Sequence, residues 1–558
     1  MTGLLLHAWF GPGAAGKLVL PPIAYYSILP DLVLLGGAVG LLGASSVGRR
    51  PLDRRAVTTV TVGVGLASVS LALVQWVQVQ DTGPHVTIDG AVVQDGFSAF
   101  VAVLVSSAVV VAALVGDAWM QREEVAGPEF CVLMLASASG AVIMGQANDL
   151  IVVFHGLEIM SIALYVLAAL NGRRRESGEA ALKYFVLGSF SSAVFLYGIA
   201  LVYGATGSTN LPQITDYLAR NVLLSNGLLL AGVALVLVGF AFKVAAVPFH
   251  LWTPDVYQGA PSPVTGFMAA IAKAGGFAAL LRVFVTSFGS LRSDWQPAVW
   301  VMALLTLVLG ATVALVQRDI KRMLAYSSIN HAGFILLGLQ AASATGVESS
   351  LYYLFVYTFM VLGTFAVITV VGGRGDGAHD LSRYRGLAAR QPWLAAALTV
   401  LLMAQAGIPF TTGFLAKLEV VEASVKAGSD ALAAIAMVTA VIAAFFYLRV
   451  ILLLYTAPAG AAAEAVPFEP APAVALAGSG TTVTVSALSE PAPTSSPTSA
   501  PVALDEPVPV PDEVAPETVT PTMGSAIAVC VAVTVLFGLW PAPIVNFAHQ
   551  ALLYAHAV

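Results

Sequence analysis

Seven lysines occur in the 558 residues, and four of them, Lys183, Lys243, Lys273 and Lys417, fall inside long apolar stretches. One carboxylate, Glu158, lies in another such stretch, and His331 follows Ser327, Ser328 and Asn330 in a further one. A Lys or Asp at the centre of a membrane helix costs about 2.5–3.5 kcal/mol on insertion scales, so ionisable groups there are functional candidates by default. A lysine deprived of water loses its preference for the charged form, and a nearby carboxylate restores it. Glu158 paired with Lys243 would keep that lysine charged; moving the carboxylate away would drive its proton off. A row of such groups is a proton path, and Glu158, Lys183, Lys243, Lys273, His331 and Lys417 are its candidate members. The alternative is a fixed Glu158–Lys243 ion pair that joins two helices. Three central lysines, two of them at proline-broken segments, weigh against it. Lys183 is shallower and can snorkel to the surface. His331 alone reads equally well as a satisfied interior histidine.

The elements that must position these groups follow from composition. Hydrophobic residues make up 58% and charged residues 10%, with mean hydropathy +0.87. Soluble chains carry about 25% charged residues. A soluble multidomain enzyme is therefore excluded, and an all-α polytopic membrane protein is expected. The net charge of −6 comes without a long basic tract, which argues against a nucleic-acid partner. Two cysteines, Cys131 and Cys530, exclude a disulfide framework and a cysteine-ligated iron–sulfur cluster. The chain has no glycine-rich dinucleotide fingerprint, phosphate loop or metal-ligand cluster, so no cofactor or metal is expected on it.

Apolar runs of membrane-spanning length number about fourteen: 23–46, 56–79, 96–118, 128–147, 149–170, 179–204, 224–258, 261–288, 296–316, 322–341, 348–372, 391–427, 431–455 and 523–541. The seventh contains Pro248 and Pro254 and the twelfth contains Pro409, and both are too long for a simple crossing. They read as broken helices. Spans four to eight and nine to thirteen form two five-helix sets of opposite sense, with the broken spans and Lys243 and Lys417 at matching places. Such inverted repeats put an ion site near the midplane. The expected organisation is a three-helix segment (1–127), two repeats (128–288 and 296–455), an acidic Pro/Ala/Ser/Thr-rich disordered linker (456–522) and a C-terminal transmembrane helix (523–558). No secretory signal is expected, because the apolar stretch Leu4–Phe10 is too short.

These motifs have a family likeness. FHGLEIMSIALY, Phe154–Tyr165, resembles the glutamate helix of the antiporter-like membrane subunits of respiratory complex I. EAALKYFVLGSFSSAVFLYG, Glu179–Gly198, looks like the subunit N branch of that family in the bacterial NADH-quinone oxidoreductases. So do FKVAAVPFHLWTPDVYQGAPSPVTGF, Phe242–Phe267, and RDIKRMLAYSSINHAGF, Arg318–Phe334. RGLAARQPW, Arg385–Trp393, and AGIPFTTGFLAKL, Ala406–Leu418, complete the resemblance, which spans nearly the whole chain. It implies fourteen helices with two inverted repeats, and proton pumping across the bacterial cytoplasmic membrane coupled to NADH oxidation by quinone. It implies that Glu158 and Lys243 form the charge pair of one half-channel, that Lys273 connects, that Lys417 is the outer lysine and that Lys183 is a further functional lysine. NADH, flavin, iron–sulfur clusters and quinone would belong to partner subunits. The expected partners are other membrane-arm subunits, including neighbouring antiporter-like and small membrane subunits, and the lipid bilayer. Two features depart from the family: Phe410 stands where a second proline is usual, and the acidic insertion is unusual. A multi-subunit cation/proton antiporter or a membrane-bound hydrogenase would share the Glu/Lys scheme.

Fifteen Lys and Arg residues fall in the odd-numbered loops or at their edges, Arg174, Lys321 and Arg374 among them. The even-numbered loops hold Arg220, Arg282, Arg292 and Lys426, with Lys17 in the N-terminal tail. The positive-inside rule then puts the odd loops in the cytoplasm and both termini outside. A cysteine at Asp89 is expected to react with an impermeant thiol reagent in intact cells, and one at Ser495 only after permeabilisation. Labelling of Ser495→Cys in intact cells would reverse the assignment.

Overall fold

A computed structural model of the chain describes residues 23–47, 52–125, 127–221, 226–456, 518–551 and 553–554. The acidic linker expected at 456–522 lies, apart from its ends, outside the described residues. In chain order the helices are α1 (Leu29–Val47), α2 (Arg54–Thr82), α3 (Gly96–Arg122), α4 (Glu129–Gln146), α5 (Leu150–Ala168), α6 (Arg175–Thr206) and α7 (Leu211–Arg220). They continue with α8 (Gly227–Lys243), α9 (Trp252–Gly259), α10 (Ser262–Arg282), α11 (Arg292–Leu315), α12 (Ile320–Ala341) and α13 (Ala344–Val371). Last come α14 (Leu387–Arg390), α15 (Pro392–Ala406), α16 (Thr412–Lys426), α17 (Asp430–Tyr455), α18 (Pro521–Leu539) and α19 (Ala542–His549). A short antiparallel hairpin, β1 (His85–Thr87) and β2 (Val92–Gln94), follows α2.

Each of the fourteen apolar spans is occupied by helix. Eleven described helices are long and apolar enough to cross a bilayer unaided. The other three crossings are α12, which is more polar, and the two broken spans, made of α8 with α9 and α15 with α16. The most buried helices are α10 and α13, with 94% of the apolar window covered, against 33% for α17 and α18. α10 and α13 are the axis of the bundle, and the other helices shield them from lipid. Hydrocarbon offers no hydrophobic force between helices, so close packing through small residues does the work. A Cβ at Gly198 in α6 would stand 2.8 Å from the Val236 backbone nitrogen, and one at Gly232 in α8 would stand 2.9 Å from that of Val202.

The inverted repeat is visible in one backbone detail. Asp149 caps α5 and forms an isolated bridge with Asn210, which caps α7. Asp319 caps α12 and bridges Asp380, which caps a 3₁₀ turn at Leu381–Tyr384. Each member of the second pair lies 170 positions after its counterpart. The flanking bonds repeat too: Leu150 N–H to Thr209 O and Ile320 N–H to His379 O, both 2.9 Å. The first bridge sits after an even number of crossings and the second after an odd number, so they lie on opposite faces.

Two of the charges assigned above to loops are buried anchors. Arg282 ends α10 at 1% exposure and holds Asp95 with two 2.8 Å bonds, while Asp95 also caps α3. The guanidinium donates as well to Gly145 O at the end of α4. The pair ties the N-terminal helices to the first repeat. On the opposite face Lys321 and Asp376 are both fully buried at 3.2 Å. Asp376 also accepts from the Ser262 N–H and hydroxyl at the start of α10. Burial alone would raise the Asp376 carboxyl; Lys321 and the His379 and Ser262 hydrogen bonds outweigh it and hold it well below the usual carboxylate range. Removing one partner of such a pair leaves an uncompensated charge, at a cost of about 3–5 kcal/mol. Arg282→Leu is expected to lower the thermal unfolding midpoint of the detergent-solubilised protein clearly, while Arg220→Leu, on an exposed helix end, leaves it unchanged.

Candidate functional site

Both breaks in the bundle leave helix-end carbonyls without intrahelical partners, and a lysine sits at each. In the first, α8 stops at Lys243 and the chain turns through Pro248 before α9. The freed backbone is satisfied from outside the helix: Trp252 Nε1 donates to Phe242 O and Thr306 Oγ1 accepts from Val247 N–H, both at 2.9 Å. In the second, α15 stops at Ala406, and Gly407 (φ +84°) and Phe410 (φ +69°) carry the chain to α16. Lys417, in the second turn of α16, reaches back to donate to Gln405 O at 2.9 Å and Ala406 O at 2.8 Å. A cation on the last carbonyls of a helix is where the macrodipole favours it. A proline at 410 would need φ near −65°, so Phe410 fixes a different path through this break.

The sequence-derived candidates fall into three places. Glu158 and Lys243 form the first, with Glu158 near the middle of α5. Lys243 Nζ donates to Ser161 Oγ at 2.7 Å, and among the described residues no carboxylate is within ion-pair distance. Ser161 lies one turn beyond Glu158 on the same face, and its hydroxyl donates in turn to Leu157 O. Glu158 is close enough to act on Lys243 electrostatically, while its buried Oε1 has no hydrogen-bond partner. The expected direct pair is thus an open one, with Ser161 in the gap. A cavity with room for about one water borders Lys243, Ser161, Ser191 and Ser192. On the other side Gly276 lets α10 approach, since a Cβ there would stand 3.4 Å from Lys243 Cγ.

Lys273, His331 and Lys417 share the second place, a polar thread through the bundle. Lys273 in α10 is 2% exposed and its Nζ stands 5.9 Å from the centre of the Tyr357 ring. The Tyr357 hydroxyl is 2.7 Å from Ser328 Oγ, which is 3.2 Å from the Tyr257 hydroxyl. His331 lies beside Tyr357, with ring centres 5.1 Å apart. Its Nδ1 meets the Tyr353 hydroxyl at 2.7 Å and its Nε2 meets that of Tyr447 at 3.1 Å. Tyr447 bonds Ser327 and donates to Gln405 Oε1 at 3.5 Å, and the carbonyl of Gln405 holds Lys417. The thread runs from the end of the first repeat to the break of the second without a carboxylate. Lys183 occupies the third place, the surface: it pairs with Glu179 at 2.7 Å and Asp255 at 2.9 Å, and its side chain is 43% exposed.

The sequence reading missed Tyr257, Tyr353, Tyr357, Gln405 and Tyr447. Only Gln405 and the tyrosines' position in otherwise aliphatic spans could have marked them. The repeat offset also shows where the halves diverge. Position 328, a serine, corresponds to Glu158, and position 331, a histidine, corresponds to Ser161. Among the described residues no group of three or more His, Cys, Asp or Glu is placed to hold a metal ion.

Comparisons with known proteins agree on one family. The model of the NADH:quinone oxidoreductase/Mrp antiporter transmembrane family matches residues 147–443. An NADH-quinone oxidoreductase subunit N from Trichlorobacter lovleyi is 43% identical over 400 residues, which cover 71% of this chain and 80% of that protein. A chain of respiratory complex I from Thermus thermophilus superposes with a TM-score of 0.70 at 29% identity, covering 93% of this chain and 99% of that one. A chain of the Mrp complex from a Dietzia species gives 0.74 at 22% identity, covering 94% and 96%; that likeness is of fold alone.

Tyr447 is the joint of the polar thread. Tyr447→Phe removes the hydroxyl shared by His331, Ser327 and Gln405, leaving buried groups short of a partner at about 1–3 kcal/mol. The expected result is a lower thermal unfolding midpoint together with slower coupled turnover of the assembled complex. Wild-type turnover in this variant would remove Tyr447 from the path.

Proposed function

The chain belongs to the subunit N family of NADH-quinone oxidoreductases, within the NADH:quinone oxidoreductase/Mrp antiporter transmembrane family, and from that premise we propose that its protons move along Glu158, Lys243, Lys273, His331 and Lys417. It is a proton-translocating membrane subunit of a multi-subunit complex that oxidises NADH with quinone. The observation that carries the relay is three buried lysines inside the bundle, two of them beside the breaks.

The open Glu158–Lys243 geometry supports a switch rather than a strut. An ammonium and a carboxylate attract by about 4 kcal/mol at 4 Å and half that at 8 Å, in a medium of effective dielectric near 20. A shift of a few ångströms in the carboxylate thus changes the lysine's hold on its proton by about thirtyfold. Ser161 keeps Lys243 hydrogen-bonded in either state. From Lys243, α10 carries the next lysine one turn before Gly276, and the hydroxyl and imidazole thread leads on to Lys417. Lys183 stands outside this line, on the face where its ion pairs with Glu179 and Asp255 join α6 to α9. Its part in the reading is to set the charge at the entrance.

In this reading the face bearing Arg174, Lys321 and Arg374 is cytoplasmic, and the face bearing the β hairpin and α19 is outside. NADH, flavin, iron–sulfur clusters and quinone sit on partner subunits. The exposed apolar sides of the outer helices meet lipid and the neighbouring antiporter-like and small membrane subunits.

Lys243→Ala and Glu158→Ala are each expected to cut coupled quinone reduction and pumping by about tenfold or more, since either leaves an unpaired ionisable group in a costly medium. Lys243→Arg distinguishes a relay from a strut, because arginine keeps its charge but effectively never releases a proton. Proton uptake by proteoliposomes containing the assembled Lys243→Arg complex is expected to stay impaired. Near-normal pumping there would leave Lys243 a structural cation.

A further inference from the structure

We propose that Glu419, Tyr352 and Glu348, with His549 at the surface, form the outlet through which a proton leaves Lys417 for the face that carries the β hairpin. The proposal rests on the relay above and names its last steps.

The elements run in the right directions. From the break, α16 heads toward the hairpin face, carrying Lys417 first, then Glu419, and Glu422 and Lys426 at its end. α13 begins at that same face, with Glu348 in its opening turns and Tyr352 one turn deeper. α19 covers the start of α13, and its His549 Nδ1 lies 2.8 Å from Glu348 Oε2. The two ends of this order differ in exposure. Lys417 is 5% exposed and Glu419 half-buried, while the side chains of Glu348 and His549 are 17% and 52% exposed.

The Tyr352 hydroxyl is the second observation. Tyr352 is fully buried, yet its hydroxyl has no hydrogen-bond partner. The charge acting on it is that of Glu419. Leaving a buried hydroxyl unpaired is costly, so one left open within electrostatic range of a carboxylate calls for a function. The adjacent residue, Tyr353, holds His331 from the same helix. Neighbouring positions on α13, about 100° apart, therefore serve the inner thread and the outer carboxylates. Glu419 lies within electrostatic range of Glu422 and Glu348. Glu422 is neutralised by Lys426 at 2.6 Å, and Glu348 faces His549. Among the described residues Glu419 alone of the three carboxylates has no basic side chain within ion-pair distance, so it is the one open to a proton.

The step balances simply. An N–H bond of the Lys417 ammonium breaks and its electron pair stays on nitrogen. The proton forms an O–H bond on the Glu419 carboxylate, handed across by the Tyr352 hydroxyl or a water. It then passes to Glu348 or the His549 imidazole and into bulk water. No electron moves.

The test is coupled proton ejection by the assembled complex in proteoliposomes, with the solvent deuterium isotope effect on quinone reduction measured alongside. Glu419→Gln is expected to slow coupled turnover about tenfold and to raise the isotope effect. This is less than the 10²–10⁴ typical of a positioned acid–base group, because Glu348 and water share the outlet. Glu419→Asp is expected to restore both readings, which a merely structural carboxylate would not explain. Glu422→Gln, on the ion-paired surface, is expected to change neither. If Glu419→Gln does not assemble, Tyr352→Phe carries the same expectation of a raised isotope effect. Normal turnover and isotope effect in Glu419→Gln, or in Tyr352→Phe where that substitutes for it, would overturn the outlet. Lys417→Ala in the same preparation separates the two readings: if it is inactive the relay stands without this outlet, and if it is active the relay falls as well.

Discussion

Hydrocarbon cannot solvate a peptide group, and that constraint shapes this protein more than any other. A chain that leaves helical geometry at mid-depth must find partners for its freed carbonyls and amides inside the protein. Here the two breaks meet that demand differently. The first uses Trp252 and Thr306, and among the described residues Lys243 keeps one hydrogen-bond partner, the Ser161 hydroxyl. The second uses Lys417 itself, whose ammonium lies on the final carbonyls of α15. The break and the buried cation are thus one solution: the cation needs acceptors away from water, and the interrupted helix has acceptors to spare.

The two repeats keep their frame and diverge in their chemistry. The Asp149–Asn210 and Asp319–Asp380 bridges hold equivalent corners with equivalent hydrogen bonds on opposite faces. Inside that frame the first repeat places a carboxylate, a serine and a lysine together. The second has serine and histidine at the matching places and surrounds them with tyrosine hydroxyls. One half therefore holds a carboxylate near a buried lysine. The other is a thread of hydroxyls and an imidazole linked by hydrogen bonds. Lys273, on α10, has the Tyr357 face beside it and no acceptor within reach among the described residues.

Buried ion pairs fasten the bundle near both faces. Asp95–Arg282 on one face and Lys321–Asp376 on the other fasten α3, α4, α10 and α12 near their ends. Buried pairs of this kind add little net stability over apolar contacts, but they are strict about geometry, because each charge is costly without its partner. They hold the axis helices in register.

Much of the fold was legible in the sequence. Twenty-residue apolar runs, two of them interrupted by proline, determine fourteen crossings and two breaks, because bilayer thickness and backbone hydrogen bonding leave few alternatives. The rarity of charge in those runs marked Glu158, Lys243, Lys273 and Lys417 for the same reason. The partner of each charge was decided only by the tertiary structure. Lys243 meets Ser161 rather than Glu158, Lys417 meets backbone carbonyls, and Lys183 meets carboxylates at the surface. Arg282 and Lys321, loop charges by position, are buried because Asp95 and Asp376 arrive from 187 and 55 residues away. Hydropathy depends on composition along the chain, whereas a hydrogen bond depends on which helix lies alongside, and packing settles that.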